Sequence, residues 1–218
     1  MFGAGLSSAE GIVLGVTVSQ NNFLGTGNRV SAQVNTGQVN KVYSLSYTDP
    51  YFTPDGISRG FDIYRRDVDT SYLGTGTYKT SSYGTGVKFG LPINERDSLS
   101  AGLTFDYTQV NLDTTSPTQY LIYCSASQTV YNCDNTSLAL NLGWAHDSRD
   151  NVLFPNNGVL QRANIEIGLP GFDLEYYKLE YKHSWYKALN QNFTLMLNGE
   201  AGYGESYGSK DFPFFKNF

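Results

Sequence analysis

The chain has 218 residues, of which 16% are charged and 15% are aromatic, and its formal net charge is -5. Charged residues make up about 25% of an ordinary soluble domain, yet the mean hydropathy of this charge-poor chain is negative at -0.34. A helical membrane protein needs apolar runs of about 18 residues or more, and the sequence contains none. The acidic balance, without a cluster of basic residues along the chain, excludes the electrostatic pattern of a nucleic-acid-binding protein.

Apolar and polar residues alternate along segments of about ten residues, which is the pattern of strands with one apolar and one polar face. In one segment Leu99, Leu103 and Phe105 alternate with Ser100 and Thr104. No segment has a helical period, so no helix is predicted. Eleven strands are predicted, at Phe2–Ser7, 12–20, 28–37, 41–48, 58–69, 79–91, 97–112, 136–147, 158–168, 175–187 and 192–204.

The predicted connections alternate between compact turns and longer polar stretches. The stretches 70–79, 113–135 and 205–218 follow the fifth, seventh and eleventh strands. Two connections depart from the alternation. Asp147–Asn157 is long for a position where a compact turn is expected, and Gln38–Asn40 is short for a position where a long stretch is expected. Bacterial membrane barrels place short turns on the periplasmic side and long loops outside. The sequence therefore predicts an all-β fold, a transmembrane antiparallel up-and-down β-barrel.

Eleven strands do not give the even number with which bacterial barrels close. Open strand edges in lipid leave backbone groups unpaired, at a cost of several kcal/mol each. Residues Met1–Gly5 also lack the basic region and apolar core of a signal peptide. Both observations predict part of a longer outer-membrane protein. A soluble barrel with its apolar face inward has the same periodicity, and the strand number and aromatic fringe argue against it.

The densest group of titratable residues runs from His146 to Asp150 and contains the residue types of a hydrolase triad. Neighbouring strand residues point to opposite faces, so these side chains cannot form the hydrogen-bond chain of a triad. The sequence predicts a polar strand end here, and it predicts no catalytic, cofactor-binding or metal-binding residues. A second charged group is predicted to form charge pairs in the lumen or in a loop: Arg65, Arg66, Asp67 and Asp69.

The two cysteines, Cys124 and Cys133, lie nine positions apart in a polar stretch. A disulfide between them is the favoured interpretation for an oxidising compartment, and two unpaired thiols are the alternative. By the loop-entropy relation, such a bond would contribute about 2–3 kcal/mol.

An aromatic tail, Phe212–Phe218, follows the last predicted strand and contains four phenylalanines. Loops exposed to solvent rarely carry so much apolar surface. One interpretation is a strand start or a loop folded back on itself. The other is a segment that packs inside the mouth or lumen of a barrel.

Six short segments, spread over nearly the whole chain, occur in an order typical of one protein family. They are Asn21–Gly27, Asp49–Gly56, Gly90–Glu95, Phe154–Gly158, Leu169–Gly171 with Glu175–Lys178, and Pro213–Phe218. Each segment alone is a weak signal, but the six in order resemble the BamA family of outer-membrane assembly proteins.

The resemblance implies a sixteen-stranded barrel preceded by soluble POTRA domains. Residues 1–218 would be the N-terminal portion of that barrel, a partial barrel of about 11 of the 16 strands, with the POTRA domains and last strands absent. The resemblance implies assembly and insertion of β-barrel proteins into the bacterial outer membrane, without enzyme activity or cofactor. The implied partners are unfolded outer-membrane protein substrates, assembly-machinery lipoproteins and outer-membrane lipid, and no nucleic acid.

In this family the first strand pairs weakly with the last, so that the seam between them can open sideways. The resemblance places this lateral gate at Phe2, Gly3, Ala4, Gly5, Leu6 and Ser7. It places the start of the loop that folds into the barrel at Pro213, Phe214 and Phe215. The small residues of the gate strand are consistent with weak pairing.

Other barrels remain as alternatives. A related protein-translocating barrel, that of the translocation and assembly module or of a two-partner-secretion transporter, is the first. A passive porin is the second, although a porin lumen carries acidic and basic ladders across its constriction and the charge of this sequence is thinly spread.

Overall fold

The computed structural model describes residues 2–7, 11–72, 78–113, 116–124, 132–190 and 192–216. Within these residues an 11-stranded antiparallel sheet pairs each strand with the next along the chain, so the predicted all-β, up-and-down fold is confirmed. The strands are β1 (Phe2–Ser7), β2 (Gly11–Asn21), β3 (Arg29–Thr36), β4 (Asn40–Asp49), β5 (Ser58–Asp69), β6 (Tyr78–Pro92), β7 (Asp97–Leu112), β8 (Asn132–Asp147), β9 (Asn157–Gly168), β10 (Tyr176–Ala188) and β11 (Thr194–Ser206).

The largest difference from the prediction lies between β7 and β8. A helix, α1 (Thr118–Cys124), occupies part of the stretch predicted to be a loop, and its 7 residues are too few to show a helical period. β8 begins four positions earlier than predicted because its ladder with β7 continues to the pair Asn111 and Asn132. No helix in the described ranges is long and apolar enough to cross a membrane.

The two faces of the sheet differ in polarity and in solvent exposure. Leu103, in the middle of β7, is 40% exposed, and it shares its face with the paired residues Val87 and Leu140. On the other face Asp106 is only 6% exposed, and Thr108 is also buried. Leucines that face outward and a carboxylate that faces inward reverse the arrangement of a soluble protein. We call the apolar side the outer face and the polar side the lumen face.

Aromatic side chains border the outer face at both ends of the strands. Tyr43, Tyr83 and Tyr107 occupy connected register positions near the long loops. Trp144 and Trp185 lie on the same face near the opposite, turn-bearing ends of β8 and β10. Two aromatic rows around an apolar band are the interfacial girdles of a membrane barrel.

The assignment of faces predicts a difference between two arginine substitutions. Leu45→Arg on the outer face should destabilise the protein by about 2–4 kcal/mol, the cost of arginine at mid-membrane on the lipid face of a barrel. Gln33→Arg is the matched control, because Gln33 lies on the adjacent strand, faces the lumen and is exposed. Urea unfolding of the intact protein in lipid vesicles measures both, and equal losses would contradict the assignment.

Candidate functional site

The segment that follows β11 turns back over the lumen face, and we call Tyr207–Lys216 the plug segment. Its first backbone N–H groups, those of Tyr207 and Gly208, donate to the carbonyl of Glu175 at 3.0 and 3.2 Å. The Tyr207 hydroxyl donates to the carbonyl of Gly168. Residues 217 and 218 of the aromatic tail lie outside the described residues.

A polar anchor holds the middle of the plug segment against β8. Lys210 Nζ donates to Asn135 Oδ1 at 3.1 Å and lies 3.8 Å from Asp173 Oδ1. Hydrogen bonds from the hydroxyl and backbone N–H of Thr136 hold the pKa of the Asp173 carboxyl below its ordinary value. Asp173 is therefore charged at neutral pH and attracts Lys210.

The next contact is aromatic and depends on a glycine. The Phe212 ring packs edge-on against the buried ring of Tyr176, with 5.7 Å between centroids. Gly204 of β11 lies beneath Phe212, and a Cβ at this position would come within 2.8 Å of the Phe212 ring. A larger residue at Gly204 would therefore displace the Phe212 ring from its place against the sheet.

Phe214 inserts between α1 and β6. Its ring stacks on Tyr120 with 4.0 Å between centroids and 14° between planes. Tyr78 and Tyr123 contact it edge-to-face at 5.2 and 5.5 Å. Aromatic pairs of this kind contribute about 0.5–1.5 kcal/mol each beyond area burial. Pro213, directly before Phe214, is fully buried. The structure thus places Pro213 and Phe214 against the lumen face.

A disulfide positions the helix that receives Phe214. Cys124, the last residue of α1, is bonded to Cys133 near the start of β8, with 5.2 Å between their Cα atoms. The bond joins α1 covalently to β8, next to a hydrogen bond that the Tyr123 hydroxyl donates to Asn135 Oδ1 at 3.5 Å. The bond therefore holds Tyr120 and Tyr123 where they can contact Phe214.

The plug segment ends in a cluster of charged and phenolic groups on the lumen face. Lys216 Nζ lies 2.9 Å from Glu166 Oε1 on β9 and 3.4 Å from Asp106 Oδ2 on β7. The hydroxyl of Tyr64 on β5 donates to Asp106, and that of Tyr176 on β10 donates to Glu166. One lysine of the plug segment is thereby connected to four strands.

The pKa of the Lys216 ammonium shows which contribution prevails in this cluster. Burial alone would lower that pKa, but Glu166, Tyr176 and Asp106 outweigh burial and raise it above its ordinary value. Lys216 is therefore charged at neutral pH. Removing one partner of a buried ion pair leaves an uncompensated charge and is strongly destabilising, so the two carboxylates favour the plugged arrangement.

A glycine on β6 makes room for this cluster. The Tyr64 side chain crosses the lumen face over Gly84 to reach Asp106, and a Cβ at Gly84 would overlap both the Tyr64 ring and the Asp106 carboxylate. Gly84 therefore has a packing role, because its missing side chain leaves the space that Tyr64 and Asp106 occupy.

The residues from His146 to Asp150 make separate contacts with carboxylates and do not assemble into a triad. His146 Nδ1 lies 2.9 Å from Asp97 Oδ1, and Arg149 pairs with Asp147 at 2.7 Å. In the described part of the chain, no group of three or more His, Cys, Asp or Glu side chains could hold a metal ion.

The second notable feature is the free edge at β1. Its 6 residues are all exposed, and they pair with only part of the 11-residue β2. Within the described residues no strand pairs with the other edge of β1. The Cβ positions of Gly3 and Gly5 have nothing within 4 Å. These are the residues at which the family resemblance places the gate strand.

Sequence reasoning singled out the aromatic residues of the plug segment but missed its charged end. Lys216 is separated from Asp106 by 110 positions and from Glu166 by 50, so no local motif connects them. The charges of Asp106 and Glu166 were only a partial signal, because the same face also carries the pairs Lys88 with Asp62 and Lys182 with Glu200.

Comparisons with known proteins agree with this geometry. Residues 22–218 match the Omp85 superfamily domain. The "Outer membrane protein assembly factor BamA" of Neisseria meningitidis serogroup B is 35% identical over 222 residues, covering 99% of this chain and 28% of that protein. The crystal structure of BamA from Haemophilus ducreyi lacking POTRA domains 1-3 superposes with a TM-score of 0.89 and 27% identity, covering 100% of this chain and 43% of that one. The chain thus spans less than half the length of either relative.

The lumen cluster predicts that Lys216→Met destabilises the intact protein by about 3 kcal/mol, because two lumen carboxylates lose their counter-charge. Lys182→Met is the matched control. Its partner Glu200 lies 3.4 Å away and both side chains are exposed, so the expected loss is below about 1 kcal/mol. Urea unfolding in detergent micelles compares the two variants, and similar losses would show that Lys216 is not an anchor.

We expect α1 and the plug segment to open locally when both cysteines are replaced by serine, because the disulfide holds α1 in place. Amide exchange should accelerate at Tyr120 and Leu121, whose N–H groups donate to Pro117 O at 2.9 and 3.2 Å, and in the plug segment. The amides of β10 and β11 serve as the internal control and should not change. Unchanged exchange in α1 would contradict a role of the bond in positioning the helix.

Proposed function

The chain belongs to the Omp85 superfamily, and on that premise we propose that it works as part of a BamA-like barrel in the bacterial outer membrane. Its function is the assembly and insertion of β-barrel proteins into that membrane. The observation that carries this proposal is the sheet's outward-facing apolar side, which begins with β1, a short strand of 6 residues that are all exposed.

A free strand edge is costly in hydrocarbon and attractive to another strand. Unpaired N–H and C=O groups in the bilayer core cost several kcal/mol each. An incoming strand that pairs with the edge removes that cost, which is the physical basis of β-augmentation. We infer that β1, residues Phe2–Ser7, forms the lateral gate and accepts strands of an unfolded substrate.

The composition of β1 suits transient pairing. Phe2, Ala4 and Leu6 pair with β2 residues of the outer face, while Gly3 and Gly5 alternate with them toward the lumen. Glycine adds no side-chain contact across a strand pair and weakens the strand. A weak edge lets a completed barrel leave, whereas a strong edge would retain it.

The plug segment fixes the part of the sheet that lies opposite the proposed gate. Its hydrogen bonds, ion pairs and ring contacts reach β6 to β10 and α1. In the described residues none of these contacts reaches β1 to β4. We infer that Pro213, Phe214 and Phe215 begin the loop that keeps the lumen closed and one wall fixed, while the wall carrying the gate moves. An occupied lumen also argues against a passive porin.

The remaining inferences follow from the same premise. Residues 1–218 are proposed to be the N-terminal portion of the barrel. The proposed partners are unfolded outer-membrane proteins, the lipoproteins of an assembly machinery and outer-membrane lipid. No covalent chemistry is required, because burial of apolar surface in lipid and strand pairing drive insertion.

The gate is tested by locking it. Ala4→Cys in the intact protein, joined by a disulfide to a cysteine in its terminal strand, should abolish folding of an unfolded outer-membrane protein into proteoliposomes, and a reductant should restore it. The control lock uses Val18→Cys and Ala32→Cys, which join the paired strands β2 and β3 away from the seam, and it should leave activity intact. Full activity of the Ala4 lock would sink the gate proposal.

A further inference from the structure

Three basic side chains from three neighbouring strands meet on the outer face, and we call Lys41, Arg65 and Lys79 the outer-face basic patch. They belong to β4, β5 and β6 in that order. The sequence analysis expected the charge pairs around Arg65 to lie in the lumen or in a loop. That expectation is wrong for Arg65 and Asp67, because both share the outer face with the apolar residues of β5.

The patch lies at the border of the apolar band. Arg65 occupies the register position between Tyr43 and Tyr83 of the tyrosine row, and its guanidinium lies 5.1 Å from the centre of the Tyr83 ring. Lys41 and Lys79 lie farther toward the long loops. The three side chains line one open recess of about 440 Å³. This is the level of the lipid headgroups, just beyond the aromatic girdle.

Two carboxylates pair with two of the basic side chains of the patch. Asp67 pairs with Arg65 at 3.0 Å, and Asp69 pairs with Lys79 at 2.8 Å. Arg65 uses only its Nε for these hydrogen bonds within the described chain, and Lys41 forms no ion pair there. The Arg65 and Lys79 side chains remain 48% and 61% exposed. The recess therefore brings together three basic side chains, with Asp67, Asp69 and, near Lys79, Asp113 as the carboxylates around them, and it keeps N–H donors of Lys41 and Arg65 that no described residue uses.

We propose that the outer-face basic patch binds the phosphate headgroup of an anionic membrane lipid. Arginine and lysine are the side chains that recognise phosphate, with charge-assisted hydrogen bonds. The recess opens onto the lipid side of the sheet, and the exposed apolar residues Leu45 and Ile63 continue from it toward mid-membrane. A ligand with a phosphate and acyl chains matches both the charge and the apolar surface below it.

The test measures lipid retention by the intact protein in nanodiscs of phosphatidylcholine containing lipid A, a bisphosphorylated glycolipid. Native mass spectrometry should find lipid A enriched over phosphatidylcholine on the wild-type protein. Each basic residue replaced by glutamine should weaken retention about fivefold, and the variant Lys41→Gln, Arg65→Gln and Lys79→Gln should lose the enrichment. Because the assay involves no substrate folding, its outcome is independent of the gate test.

The matched control is Lys88→Gln with Lys182→Gln. These lysines have similar exposure, 58% and 49%, and pair across the lumen face with Asp62 and Glu200, so lipid A retention should not change. If the triple variant does not fold, Lys41→Gln alone still decides, since it breaks no ion pair of the described chain. Wild-type retention in the patch variants, an equal loss in the lumen control, or displacement of lipid A by equimolar inorganic phosphate would overturn the proposal.

Discussion

The structure depends on one constraint: a bilayer core offers no water to hydrogen-bond a backbone group. Every strand that crosses it needs a neighbour, which is why consecutive antiparallel ladders account for β2 to β10 without a gap. The same medium sorts side chains in the middle of the strands, so Leu103 faces outward while the carboxylates of Asp106 and Glu166 face inward. Within the described residues β1 and β11 each meet this constraint on one edge only, and the proposed activity assigns strand exchange to the edge of β1.

Charged groups that are buried on the lumen face need ion-pair or hydrogen-bond partners. Asp106 and Glu166 would be poorly compensated charges on a crowded lumen face, and Lys216 of the plug segment supplies the opposite charge. The ring of Phe214 and the Cys124–Cys133 bond connect the plug segment to α1. The plug segment is therefore anchored to one part of the sheet, while the weakly paired edge of β1 lies in another part.

The alternation of residue types was sufficient to predict the strands and which of their residues share a face, because both depend on local sequence. The outward position of the apolar face was predicted from the strand number and the aromatic fringe, since the alternation is the same for either orientation. The start of β8 and the presence of α1 were not predictable, since a short helix and a ladder extension leave no periodic signal. The Lys216 cluster and the outer-face basic patch were missed for a different reason. The members of the patch come from separate strands that only the register brings together, and Lys216 reaches its carboxylates only because the plug segment folds back over the lumen face.

The outward position of the apolar face is tested most directly by quenching with brominated lipids. A fluorophore is placed on cysteine at Leu103, on the outer face, or at its neighbour Thr104, on the lumen face, in the intact protein with its native cysteines oxidised. The account predicts strong quenching at position 103 and little at position 104. Strong quenching at 104 with none at 103 would mean that lipid contacts the polar face, and the account would be wrong.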